Sequence, residues 1–142
     1  MKRDAFLTML LMAVSLPALA THGAWSAAAA GPQLNVGRQT YAAPPLRPAA
    51  PIPPEAVLRG ISWRISLLSP PPARLDIKLC SVTACIALDR LAGQKAAPLP
   101  FSPGEALRFV YAVNTPGQLT PPVRIVTNQI TINYHWANRS DR

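Results

Sequence analysis

Proline occurs in too many places for this chain to be helical. Seventeen of its 142 residues are proline, and a proline inside a helix removes a backbone donor and clashes with the preceding turn. Residues 43–54 (APPLRPAAPIPP) are half proline. They form neither a helix nor a central strand and read as an extended, polyproline-type surface connector. A linker explains them better than a docking ligand for a proline-binding module. SPPPA at residues 69–73 and NTPGQLTPP at 114–122 break the rest into short runs.

Within those runs apolar residues alternate with polar ones, the period of a half-buried strand. In LRGISWRISLL, Ile61, Trp63, Ile65 and Leu67 share one face, and Ser62, Arg64 and Ser66 share the other. In ALRFVYAV, Leu107, Phe109, Tyr111 and Val113 oppose Arg108, Val110 and Ala112. VRIVTNQITINY changes register near Thr127 and Asn128: Val123 and Ile125 have odd numbers, whereas Ile130, Ile132 and Tyr134 have even ones. A β-bulge or a bend between two sheets accounts for that change. LNVGRQTY, residues 34–41, has weaker strand character, with Leu34 and Val36 on one face. AAAAGPQ reads as a flexible spacer, and residues 90–105 read as a long irregular link. The fold expected is all-β, a small antiparallel sandwich or open barrel.

The N-terminus sets the compartment. Lys2 and Arg3 precede an apolar run from Ala5 to Leu16; Pro17 breaks it, and Ala18-Leu19-Ala20 supplies a small-x-small exit. That is the pattern of a secretory signal peptide over residues 1–20, cleaved between Ala20 and Thr21. The run is short for a membrane anchor, and no later segment is apolar for long enough to span a bilayer. The expected organisation is therefore a leader (1–20), a flexible Ala/Pro-rich segment with one strand at 34–41 (21–56), the core of one β domain (57–134) and a polar tail (135–142).

The only two cysteines lie in RLDIKLCSVTACIALD. Leu75, Ile77 and Leu79 alternate with polar residues, as do Ile86 and Leu88, and residues 81–84 lie between as a hairpin loop. Cys80 and Cys85 then face each other across the hairpin, on its polar side. In an oxidising space such a pair forms a disulfide. A redox pair normally has the C-x-x-C spacing. A zinc site needs about four ligands, and only His22 and His135, near opposite ends of the exported chain, could join. The staple is the favoured reading.

The net charge is +8, yet only 14% of residues are charged. The cations are scattered singly, which argues against nucleic acid and leaves a mild bias toward anionic partners. Among carboxylates, Asp76 and Asp89 sit on the outward faces of the hairpin strands, where a facing pair in a cleft, as glycoside hydrolysis needs, is not otherwise suggested. Neither histidine sits in a nucleophile motif, and there is no glycine-rich phosphate loop. No enzyme, cofactor or metal is expected. Trp63 belongs to a core face. Trp25 is balanced between packing onto the domain and serving a partner. Arg64 and Arg108 project outward and are the other candidate partner contacts.

GAWS at residues 23–26, then GISWRISL, RLDIKLCSVTACIALD, ALRFVYAV and finally VRIVTNQITINY follow one another in an order that resembles the flagellar protein FlhE family. The resemblance covers residues 23–134. It is most specific in the pair L-C-x4-C-x-x-L-D and in the closing strand ending N-Q-I-T-I-N-Y. It implies a β-rich periplasmic accessory protein of the flagellar type III secretion system, associated with preventing proton leakage through the export apparatus. A chaperone-like role toward exported flagellar subunits has also been suggested. The implied partners lie in the export apparatus or basal body, and no catalytic residues carry over. Cys80 and Cys85 match the family's pair. The proline-rich segment is heavier here and the tail beyond Tyr134 runs longer, so no partner site is carried over to either.

Overall fold

The computed structural model describes Ala13 and residues 20–137. The leader therefore lies outside the described residues except for Ala13 and Ala20, as does the end of the tail, 138–142. Nine strands follow in order: β1 (Ala20–Ala29), β2 (Gln33–Val36), β3 (Tyr41–Ala42), β4 (Val57–Leu67), β5 (Leu75–Cys80), β6 (Cys85–Leu88), β7 (Ala92–Ala96), β8 (Arg108–Val113) and β9 (Gln118–Ala137). There is no helix among the described residues, and hence none long and apolar enough to cross a membrane.

The strands form two antiparallel sheets. The larger has the order β1-β9-β4-β7, with β2 continuing beside the first part of β9; the smaller has the order β3-β8-β5-β6. Neither closes on itself, so of the two expected architectures the sandwich is the one formed. Alternation decides which side chains go inside. Ile61, Trp63 and Ile65 of β4 and Phe109, Tyr111 and Val113 of β8 are all buried, in one cluster that takes residues from both sheets. Tyr111 of β8 donates to Asn128 Oδ1 of β9 at 3.0 Å, and this bond crosses the core. Asn128 is wholly buried and its Nδ2 finds no partner among the described residues.

The register change in the last strand is a β-bulge. Ser66 pairs with Thr127 but Leu67 pairs with Ile125, so Val126 is the extra residue. Val126 is 42% exposed, and the bulge lets both Ile125 and Asn128 face the core.

Several expectations are corrected. Residues 21–56 are not a flexible segment with one strand. Residues 20–29 are β1, paired with β9 without interruption from Ala20↔Ala137 to Ala29↔Asn128. Alanine and glycine are poor strand formers, which hides this strand in the sequence; its pairing to β9 and the buried Trp25 hold it instead. Residues 34–41 are divided between the sheets: β2 pairs with β9 and β3 with β8. The chain turns between them at Arg38, whose φ is 58°. The proline-rich connector is extended, but it is not all surface. Ala43 and Leu46 are buried, Ala43 N–H bonds Phe109 O, and Leu46 and Leu107 exchange both backbone hydrogen bonds. The link 90–105 contains an edge strand, β7, which lacks β-branched residues. The turn-rich stretch 114–122 includes the start of β9, which accommodates Pro121 and Pro122 where, among the described residues, β2 is its only neighbouring strand. At the other end β9 continues to Ala137, into what was read as tail.

Two glycines are required by aromatic rings. A Cβ on Gly23 would stand 2.6 Å from the Tyr134 ring, and one on Gly93 would stand 2.9 Å from Trp63. Each ring covers the bare backbone of the strand beside it, so the glycine of GAWS serves packing.

Candidate partner-binding surfaces and the disulfide hairpin

The hairpin forms as its alternation requires. β5 and β6 pair from Ile77↔Leu88 to Cys80↔Cys85, and the two sulfurs are bonded at 2.02 Å with the Cα atoms 4.0 Å apart. Ser81 holds the loop. Its N–H donates to Ala84 O, and its Oγ accepts from the N–H groups of Thr83 and Ala84, a local turn typical of serine. Cys80 is 6% exposed, so one half of the bridge is covered and not on an open polar face. There is no free thiol among the described residues.

An open groove of about 510 Å³ lies beside this hairpin, bordered by Pro71, Pro72, Asp76, Lys78, Asp89 and Arg90. It brings Asp76 and Asp89 to one cavity. The arrangement does not suit acid catalysis. Arg90 Nε lies 3.4 Å from Asp89 Oδ1 with both side chains in solvent. Hydrogen bonding from Arg90 holds the Asp89 carboxyl below the usual carboxylate range, whereas a glycosidic acid must be held above it. Burial instead acts on Tyr111, whose phenol it pushes up.

Of the three candidate partner contacts, Trp25 is in the core. It is 8% exposed, and its indole N–H donates to Pro103 O at 2.6 Å. That resolves the balance between packing and partner contact in favour of packing. Arg64 and Arg108 are both exposed, but they lie on different sheets. Arg64 faces out from the larger one, Arg108 from the smaller one opposite Cys80. They point from opposite sides of the sandwich and form no common surface.

The strands bring together a group that sequence distance hides. His22 of β1 is directly opposite His135 of β9, with ring centroids 6.4 Å apart. Arg59 of β4 reaches His22, Nη1 to Nδ1, at 2.9 Å. No signal within either strand marks this pair; only the β1–β9 pairing creates it. Two imidazoles fall short of a metal site, and among the described residues no three His, Cys, Asp or Glu side chains come together as ligands.

The two sheets differ in charge. β1, β2, β4, β7 and β9 contain no Asp or Glu. Their outward residues include Arg59, Arg64 and Arg124 set among Ser26, Ser62, Thr127, Gln129, Thr131 and Asn133. Asp76 belongs to the smaller sheet, with Asp89 following its edge strand. The strands of the larger sheet thus offer a polar, acid-free and mildly positive face, with open grooves beside Arg59 and Arg64.

Comparison with known proteins agrees with this architecture and with the motif order. The family model described as "Flagellar protein FlhE" matches residues 31–135. A flagellar protein FlhE of Salmonella typhimurium is 33% identical over 129 residues, covering 91% of this chain and 97% of the relative. One from Escherichia coli (strain K12) is 30% identical over 115 residues, covering 81% and 87%. A crystal structure of FlhE superposes with a TM-score of 0.70 at 32% identity, covering 80% of this chain and 96% of the other. The groove-lined hairpin, the buried GAWS tryptophan and the bulged closing strand are therefore features of a chain that belongs to the FlhE family of flagellar proteins.

Proposed function

We propose that this chain is an exported, non-enzymatic accessory protein of the bacterial flagellum. It acts in the periplasm, binds the flagellar export or basal-body machinery and limits proton leak through it. The observation that carries the reading, within the family, is the acid-free outer face of the larger sheet. Arg59, Arg64 and Arg124 project from a strand surface whose other side chains are mostly small or uncharged polar groups. Such a face suits docking to a partner of negative potential, because complementary charge steers association and penalises wrong partners. The disulfide between Cys80 and Cys85 fits an oxidising compartment.

The test measures cytoplasmic pH in acidic medium. Strains would lack this gene alone, or this gene together with the export gate. A fall in pH in the single deletion that recovers in the double places the leak in the export channel. Complementation with Arg64→Glu should then fail while Arg108→Glu succeeds. Unchanged pH in the single deletion refutes leak control. A second reading, a periplasmic chaperone for exported axial subunits, is favoured by one observation: β1 leaves a long sheet edge without a partner among the described residues, and an extended client segment could pair with it. It requires that the protein slow aggregation of rod or hook subunits.

A further inference from the structure

Among the described residues five strands have a neighbour on one side only, and four of them are blunted in ways that discourage pairing. β2 has four residues and a register irregularity between Leu34 and Val36. β3 has two residues and runs into Pro44 and Pro45. β6 has four residues and is tied by the disulfide at its start. β7 has five residues, includes Lys95 and runs into Pro98. β1 has none of these devices. It is ten residues long, ATHGAWSAAA, with no proline and no Lys, Arg, Asp or Glu. Its register with β9 has no bulge. On its outer side, alternate backbone N–H and C=O groups find no backbone partner among the described residues.

An open strand edge is completed by another extended backbone. A foreign segment would be selected through pockets for its alternate side chains. β1 brings mostly Ala, Gly and Ser side chains to this edge, too small to wall a pocket, and the grooves of about 480–580 Å³ described on the molecule are lined by other strands and loops. The edge therefore offers backbone pairing without side-chain selection. A second copy of the same strand needs no such pockets, because symmetry sets its register.

We propose that β1 pairs antiparallel with β1 of a second copy of this chain about a two-fold axis at Ala24, joining the two larger sheets into one. Residues directly opposite must point to the same face, so the axis passes through a residue. With the axis at Ala24, His22 faces Ser26 of the other copy, Gly23 faces Trp25, and Thr21 faces Ala27. Every contact on the outer face then involves a small side chain or the His22–Ser26 pair. An axis at Trp25 would instead bring two indoles together beside the Pro103 contact. The antiparallel arrangement also sends the Arg59–His22 end of each copy toward the alanine end of the other. The contact is a strip roughly 30 Å long, so the association is weak and concentration-dependent.

Sedimentation equilibrium of the purified exported protein, from about 1 µM to 1 mM, should show a monomer–dimer equilibrium. Ala24→Lys places two cations opposite each other at the axis and should raise the dissociation constant at least tenfold, with the melting temperature at low concentration unchanged. As a second variant, Ala24→Cys should oxidise to a covalent dimer, because opposed strand residues have disulfide spacing; Ala28→Cys should not. A monomer at all concentrations overturns the proposal and leaves the edge to a strand from a different protein. A dimer indifferent to Ala24→Lys, or equal cross-linking at residues 24 and 28, also overturns it. Neither result bears on leak control, which the cytoplasmic pH measurement tests separately.

Discussion

The two sheets of this sandwich are built differently. In the smaller one, β5, β6 and β8 are strongly alternating, and β5 and β6 are joined by a four-residue loop. In the larger one, β9 pairs with β1, β2 and β4, all from the first half of the chain, and Trp25 lies opposite Ile132. The smaller sheet is held by local pattern and a disulfide. The larger depends on long-range pairing and on aromatic rings laid over glycines. The difference shows that the strands with the least local signal can be the ones most dependent on the whole fold.

Truncating Trp25 gives the largest expected effect. Trp25→Ala should cost about 3–5 kcal/mol, as large-to-small core changes do, read from chemical denaturation. A loss below about 1 kcal/mol would make residues 20–29 a loosely attached arm and erase the contrast between the sheets.

Replacing both cysteines by serine should cost about 2 kcal/mol, because the closed loop is short. Hydrogen exchange should rise in β5 and β6 while β1 and β9 keep their protection. Equal loosening of both sheets would mean that the bridge stabilises the sandwich as a unit.

Tyr111→Phe removes the hydrogen bond to Asn128 that links the sheets and should cost at least about 1 kcal/mol. It should also change the alkaline limb. Burial raises the folded phenol above its ordinary value of 10.0. The unfolded chain therefore ionises first, and the contribution of Tyr111 is intact below about pH 10 and declines above it. Thermal melts of the wild type should lose stability over that range more steeply than melts of Tyr111→Phe; parallel curves would exclude Tyr111 as the cause.

The smallest stability effects belong to the arginines. Arg64→Ala and Arg108→Ala should each change stability by less than about 0.5 kcal/mol, as exposed substitutions do. Their separation lies in binding. If the larger sheet is the docking face, cross-linking to flagellar components should weaken for Arg64→Ala and not for Arg108→Ala. Equal weakening would remove the distinction between the two faces.

Alternation made β4, β5, β6 and β8 legible, and the parity change between Ile125 and Ile130 located the bulge. Two aligned cysteines were enough to read the hairpin. β1 and β7 were not legible, because Ala24, Ala27, Ala92 and Gly93 carry no hydrophobic pattern and become strands by pairing with β9 and β4. Pro121 and Pro122 suggested a turn, since a strand tolerates them only where one side lacks a neighbour. The position of Trp25 depended on the 101–103 loop, which has no periodicity linking it to GAWS. Nothing in either strand indicated that His22 and His135 would meet.

The pairing of β1 with β9 has a consequence for the order of assembly. The strand that is synthesised first has no partner until nearly the last residues of the chain have been made, whereas β5 and β6 can zip together as soon as they emerge. The larger sheet is thus completed only when residues 128–137 are in place. A chain truncated before residue 128 would leave β1 without any of its ten partners and most of β4 without its neighbour. The finished sheet also sets Ala20 beside Ala137.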